Sequence, residues 1–298
     1  MPKCVRWAAS SAVLLLAACA SRTAENLPVE PVAAFAPTPA PAFAFGAIEG
    51  VPEQAGFARG LAPPGTLRLT LDGKDVPVAA DGAFFVAFPR EASSSVLLRA
   101  EGGDGVAAEH RLDLRPRVFP EDRLPARLQR HTADPGFAAR RAEELARIGA
   151  ARGAPSGESG WRGGFVLPAS GRVSGVFGSQ RFYGDEPQSP HSGLDIAAPV
   201  GTPVVAPAPG RVVLASPPLF SLEGNLVILD HGQGLTSSFL HLDRVDVAAG
   251  QALQTGEIIG AVGATGRATG AHLHWGVMWQ GVRFDPATLL SQVLPACC

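Results

Sequence analysis

Glycine and proline interrupt this chain so often that long helices cannot carry its fold. They number 35 and 27 among 298 residues, and punctuation of that density favours short strands joined by turns. Between the breaks, apolar and polar residues alternate. Leu67, Leu69 and Leu71 are separated by Arg68 and Thr70, the period of a half-buried strand. Asp72-Gly73 and Asp81-Gly82 mark turns, with Val76 and Val78 between them. Phe84, Val86 and Phe88 are expected to line one face, and Val96, Leu98, Leu112 and Leu114 continue the pattern. Roughly five or six short strands across residues 46–118 predict a small Ig-like β sandwich. No chemical constellation stands out there, and His110 reads as a solvated strand residue.

Residues 119–160 read as a helical linker. Asp134-Pro135 supplies an N-cap followed by proline in the first turn. Phe137, Arg141, Leu145 and Ile148 are spaced for one face, and Gly149 and Gly153 end the helix. Residues 161–298 return to strands. Arg211–Ala215, Leu226–Leu229, Leu235–Leu240, Ile258–Val262 and Leu273–Met278 are apolar runs split by Gly/Pro turns. A short helix is expected at Pro286–Val293, capped by Asp285. The expected fold is mainly β: a C-terminal antiparallel β domain preceded by a small Ig-like β domain and a connecting helix.

Composition narrows the function. Hydrophobic residues make up 46% and mean hydropathy is +0.15, so the chain buries a core. A net charge of −2 lacks the basic field of a nucleic-acid protein. Residues 1–18 read as a secretory signal. Lys3 and Arg6 precede the uncharged run Trp7–Ala18, whose helical length of about 18 Å falls short of a ~30 Å hydrocarbon core. The run ends Leu16-Ala17-Ala18-Cys19, which resembles a bacterial lipobox and marks Cys19 for lipidation. Ala20 follows where aspartate would resemble an inner-membrane retention mark, so the periplasmic face of the outer membrane is expected. Residues 19–45 are an Ala/Pro-rich, extended spacer. Cys297 and Cys298 are adjacent and cannot build a disulfide framework. They read as exposed thiols of a frayed tail or as a link to another chain.

Five histidines lie in the C-terminal region: His191, His231, His241, His272 and His274. With Asp195 they offer the donor types zinc uses. His272 and His274 leave one face of a strand together. His191 and Asp195, four residues apart, would stand roughly 13 Å apart on a flat strand, too far for one metal. A bend is needed, and Gly193 is the expected place. Spacing alone leaves open whether these are ligands or packed side chains.

His191-Ser192-Gly193-Leu194-Asp195, Phe239-Leu240-His241-Leu242 and Gly270-Ala271-His272-Leu273-His274 occur in that order. So do Ala197-Ala198-Pro199-Val200-Gly201-Thr202-Pro203-Val204, Gly224-Asn225, Asp230-His231-Gly232 and Phe284-Asp285-Pro286. From about Val173 to Leu290 the chain resembles the lysostaphin/LytM-type zinc metallopeptidases. The resemblance implies a peptidoglycan endopeptidase domain at 161–298 acting on stem and cross-link peptides. It implies one zinc held by His191, Asp195 and His274, with a fourth position for water. His241 and His272 would take the proton of that water and stabilise the oxyanion. His231 would be structural. Phe239 departs from the family's frequent tyrosine and removes a hydroxyl expected near the groove. Tyr183, the sole tyrosine, precedes His191 as an oxyanion-stabilising tyrosine does in related enzymes, or it simply packs in its loop. The groove is expected between loops near Arg181–Pro190, Pro217–Gly224 and Gly266–Ala271.

Two other readings compete. Relatives that have lost ligands act as regulators, so a catalytically silent or autoinhibited wall-binding regulator is the alternative. A lipoyl-type carrier is suggested by Val247–Leu253 and Gly256–Gly260, but such a carrier needs a lysine and none follows Lys74.

Overall fold

The computed structural model describes residues 43–124, 135–153 and 156–290. The expected signal, Cys19, most of the expected spacer, Asp134 and the two terminal cysteines lie outside the described residues. Residues 48–113 form two antiparallel sheets. One has the order Ile48–Val51, Phe57–Leu61, Ala83–Ala87; the other has Lys74–Val76, Thr66–Leu71, Ser95–Gly102, Ala107–Asp113. The simple alternation expected for Leu67, Leu69 and Leu71 fails at its start. Thr66 pairs with Gly102 and Arg68 with Glu101, so Leu67 is the extra residue of a bulge. It is 79% exposed, while Leu69 and Thr70 are buried.

Phe84, Val86 and Phe88 are buried as expected, but Phe85 and Ala87 are buried too. The reason is a second contact on the other face of the strand. Phe57 and Phe85 stack at 5.3 Å, and both rings meet Phe284 of the C-terminal region, at 6.5 and 6.1 Å. Arg59, on that face, donates to the carbonyls of Arg162 and Gly163. His110 is half-buried with its ring 5.8 Å from Phe45, so it is not simply solvated.

The C-terminal region is built on a sheet of order Ala252–Leu253, Gly210–Ala215, Asn225–Asp230, Leu235–Leu242, His272–Trp279, Leu194–Ala197, Arg172–Gly175. Every pair along it is antiparallel. Pairing register divides the two faces. Leu194, Trp275, Phe239 and Val227 form one row of cross-strand partners, all fully buried in the main core. Asp195, His274 and Leu240 form the neighbouring row, on the opposite face. Phe239 therefore points into the core. A tyrosine hydroxyl at this position would not reach the face that carries Asp195 and His274, which corrects the expectation for Phe239.

The helix runs Phe137–Arg152, with Gly136 at its N-cap and no side-chain cap. Gly149 lies inside it, and Gly153 is the C-cap. The buried positions are Glu144 and Ile148; Leu145 is exposed. The expected face is thus rotated by about one residue. Electrostatics sets the rotation: Arg141 pairs with Glu223, and Glu144 accepts from the backbone N–H and hydroxyl of Ser221. Ile148 joins Leu214, Phe220, Leu226 and Ile228 in a small apolar cluster.

Within 119–160 a strand, Glu121–Leu124, pairs in parallel with Gln180–Tyr183. Its charged sequence gave no strand signal. The C-terminal helix is shorter than expected, a 3-10 turn over Pro286–Leu289, with Asp285 accepting from the Ala287 N–H.

Asp285 ties the two regions together. Its carboxylate also accepts from Arg117 at 2.8 Å, and its own N–H donates to Ala55. Asp285→Ala removes a cap and leaves the half-buried Arg117 guanidinium only the longer pair with Glu53 at 3.5 Å. The expected loss is about 2–4 kcal/mol of unfolding free energy in urea, with a smaller loss for Asp285→Asn.

His231 is fully buried beside Phe165. Its Nδ1–H donates to the Pro209 carbonyl, and the Ser237 hydroxyl donates to Nε2, each at 2.8 Å. Burial pushes its pKa down to about 4, so the folded chain holds it neutral while an unfolded chain protonates it near 6.5. Its contribution is complete above pH ~6.5 and is lost as pH falls towards 4. Wild type is expected to lose up to roughly 3 kcal/mol more than His231→Asn across that window, read from urea midpoints.

Candidate metal centre

The strand Leu194–Ala197 runs antiparallel to His272–Trp279, with Asp195 opposite His274 and Ala197 opposite His272. That register places three ligand-type side chains on one face. His191 enters from the loop before the strand. Its ring Nε2 stands 3.0 Å from Asp195 Oδ1 and 3.1 Å from His274 Nδ1; Asp195 Oδ1 and His274 Nδ1 are 2.8 Å apart. The bend expected at Gly193 is divided between two places. His191–Gly193 stay outside the strand, and the register slips at Asp195/Ile196 against Arg172–Gly175. Gly193 is needed for close approach: a Cβ there would lie 2.5 Å from the Trp275 carbonyl oxygen and 2.7 Å from His274 Nε2.

These three residues fit a metal ion. Tetrahedral bonds of about 2.0–2.2 Å place ligand atoms ~3.3–3.5 Å apart. The observed triangle of 2.8–3.1 Å needs to widen by only a few tenths of an ångström. The donor set, two imidazole nitrogens and one carboxylate oxygen, matches a divalent ion of zinc's type. His191 is oriented for it: its Nδ1–H donates to the Val176 carbonyl at 3.0 Å, leaving Nε2 to face Asp195. Burial alone would raise the Asp195 carboxyl, but hydrogen bonds from His191 and His274 outweigh it and hold the group well below the usual carboxylate range. Burial pushes the His274 imidazole down, against the pull of Asp195; in His191 the Asp195 contact wins over burial and raises it.

His241 and His272 complete the cluster. Their rings are 4.9 Å apart, and His241 is 6.3 Å from the His274 ring. Each commits its Nδ1–H to a backbone carbonyl, His241 to Thr265 and His272 to Gly270, both at 2.9 Å. Each therefore presents a bare Nε2. That of His272 lies 3.8 Å from Asp195 Oδ1. Burial lowers the His241 pKa to about 4, despite the opposing Thr265 bond, so this ring is neutral and able to accept a proton near pH 7. Strict alternation would turn His241 to the core side with Phe239. Instead the strand bulges between Phe239 and Leu242, and His241 adopts φ 64°. That left-handed conformation is costly for a non-glycine residue and is held by Glu223, whose carbonyl accepts the His241 N–H.

A solved structure from Pseudomonas aeruginosa, described as a peptidase M23, is 31% identical to this chain. It superposes over 80% of this chain and 95% of its own, with a TM-score of 0.57. This chain belongs to peptidase family M23. The M23 family model matches residues 189–286, which span all five clustered side chains. Among curated relatives, the peptidoglycan DD-endopeptidases ShyB and ShyA of Vibrio cholerae are each 37% identical, over 36% and 44% of this chain. The matches cover only 24% and 30% of those relatives' own lengths.

Five of the residues that the sequence singled out thus converge, His231 does not, and Tyr183 is described in its backbone alone. His231 sits in its own buried niche at a turn, as expected. Tyr183 ends the strand Gln180–Tyr183, paired through its backbone with Glu186 and Leu124, and its side chain lies outside the described residues. The loops expected near Arg181 and Gly270 do line the cleft beside His272, but Glu121, Asp122 and Arg123 line it as well. No local pattern marks them, because only the parallel pairing with Gln180–Tyr183 brings them there.

Asp195→Ala and His274→Ala are expected to weaken zinc binding by more than about tenfold. Wild type should retain one zinc after gel filtration, measured by elemental analysis, with unfolding midpoints reported alongside.

Proposed function

We propose that this chain is a zinc metalloendopeptidase that hydrolyses peptide cross-links of bacterial peptidoglycan. The observation that carries the reading is the meeting, on one sheet face, of a His-Asp-His ligand triangle with two further histidines, each oriented by a backbone carbonyl at Nδ1. His191, Asp195 and His274 would hold the ion. When bound, zinc supplies Lewis acidity, polarising the scissile carbonyl and making water acidic enough to ionise near neutrality. His241 Nε2 takes a proton in the hydrolytic step, with Thr265 fixing its tautomer. Once protonated, that nitrogen becomes a donor for the departing amine. His272, oriented by Gly270, turns its Nε2 to the same point, where it accepts a hydrogen bond from the attacking water and orients it. Burial of His241 and His274 limits competing water. The named activities of the Vibrio cholerae relatives support the substrate class.

On this reading, residues 161–298 are the peptidase domain, 46–118 a β domain, and 119–160 the linker between them. Residues 19–45 serve as a spacer from a lipid on Cys19, which would hold the enzyme at the periplasmic face of the outer membrane. Cys19→Ser should release the mature chain from membranes, with loss of acyl mass on the N-terminal peptide.

The chain from Ala20 onward is to be incubated with intact sacculi and the products resolved by mass. Cross-linked dimers should fall to monomers with wild type. His241→Ala should keep its zinc and lose about 10²–10⁴-fold in rate, the usual worth of a general base. Zinc retained with no cleavage by wild type would favour the silent regulator instead.

A further inference from the structure

The helix Phe137–Arg152 and the ligand-bearing sheet face enclose a small cavity of about 110 Å³. It adjoins the metal centre along the same sheet face, with His274 as the shared wall between them. Three guanidinium groups converge on it: Arg141, Arg152 and Arg283. Two carboxylates balance them. Both are already spent on other partners. Arg141 makes two bonds to Glu223, at 2.7 and 2.8 Å, and one to Glu144 at 3.1 Å. Glu144 also accepts twice from Ser221. Arg152 is left over. Its Nε is buried with no hydrogen-bond partner, and among the described residues its guanidinium is in no ion pair. Arg283 stands exposed at the rim.

One surplus positive charge in a partly buried cavity is unfavourable unless an anion completes it. Burial and then the repulsion of Arg283 push the Arg152 pKa down to about 10, with Glu223 opposing, so the group is still charged near pH 7. A planar fork of donors suits a carboxylate, which can take two parallel N–H bonds. The surplus of a single charge suits a monoanion, and the cavity admits a group the size of a carboxylate, not a whole ligand.

We propose that this cavity is a carboxylate-binding subsite, in which Arg152 and Arg283 hold a free carboxylate of the peptide bound at the metal centre. The proposal rests on the endopeptidase reading for the identity of that peptide. It makes the helix, a segment outside the region matched by the family model, a determinant of specificity.

The test uses a fluorescently labelled cross-linked peptide dimer released from sacculi and the same dimer with its carboxyls amidated. Binding of each to the zinc-free chain is read by anisotropy, and cleavage by the zinc-loaded chain is measured separately. Wild type should bind the acid form at least about tenfold more tightly, the usual worth of a charge-assisted pair. Arg152→Gln and Arg283→Gln should bring that ratio towards one, and Arg152→Lys should restore part of it. Unfolding midpoints of the variants confirm that they fold. Equal binding of both forms by wild type, or a full preference retained in Arg152→Gln, would overturn the subsite. Cleavage of sacculi without any preference removes the subsite and leaves the endopeptidase standing. A preference without cleavage supports the subsite and removes the endopeptidase.

Discussion

Antiparallel pairing of Leu194–Ala197 with His272–Trp279 is the constraint on which the centre depends. It sets Asp195 directly across from His274, their side-chain atoms 2.8 Å apart. A slip of one residue would send both side chains to the core face and put Leu194 and Trp275 in their place. The register is therefore secured by the same packing that fills the core. Trp275, Phe239, Leu194 and Val227 are all essentially inaccessible on the other side of the sheet. Exposing that apolar row would cost far more than any single polar contact at the site contributes.

The surroundings supply orientation. Backbone carbonyls of Val176, Thr265 and Gly270 each fix the tautomer of one histidine, leaving the opposite nitrogen bare. These carbonyls belong to loops, so the loops matter through their main chain as much as through their side chains. The same holds for His241, whose left-handed backbone is secured by the Glu223 carbonyl. Glu223 in turn is gripped by Arg141 of the helix. An unbroken chain of polar contacts thus runs from the helix to a catalytic-type histidine. It gives the helix a structural connection to the centre beyond the small apolar cluster around Ile148.

Much of the C-terminal region was legible in the sequence, because its strands are apolar runs bounded by glycine and proline. The pair His272 and His274 was legible for the same reason, since period-two spacing puts both on one face. His241 was found through a motif and not through periodicity, which would have sent it to the wrong side. Leu67 shows the limit of alternation, since a bulge exposes it, and Phe239 shows the limit of the motif, since core register hides its ring. The helix was placed within a few residues, yet its face was misjudged. Apolar spacing favoured Leu145, while the ion pair of Arg141 with Glu223 and the hydrogen bonds Glu144 accepts from Ser221 turned Arg141 and Glu144 inward. The strand Glu121–Leu124 had no apolar pattern to find, because main-chain pairing alone creates it.

By itself the sequence determined a mainly β chain and the chemical types able to hold a metal. Those properties follow from local turn chemistry and from side-chain donors, which need no neighbours. Only the tertiary structure decided that His191, Asp195, His241, His272 and His274 share one point, since they come from separate strands and loops. It alone also brought Arg152 of the helix and Arg283 of a distant strand to the edge of that point. Charge left unpaired by folding is a property of the assembled surface, and no stretch of sequence contains it.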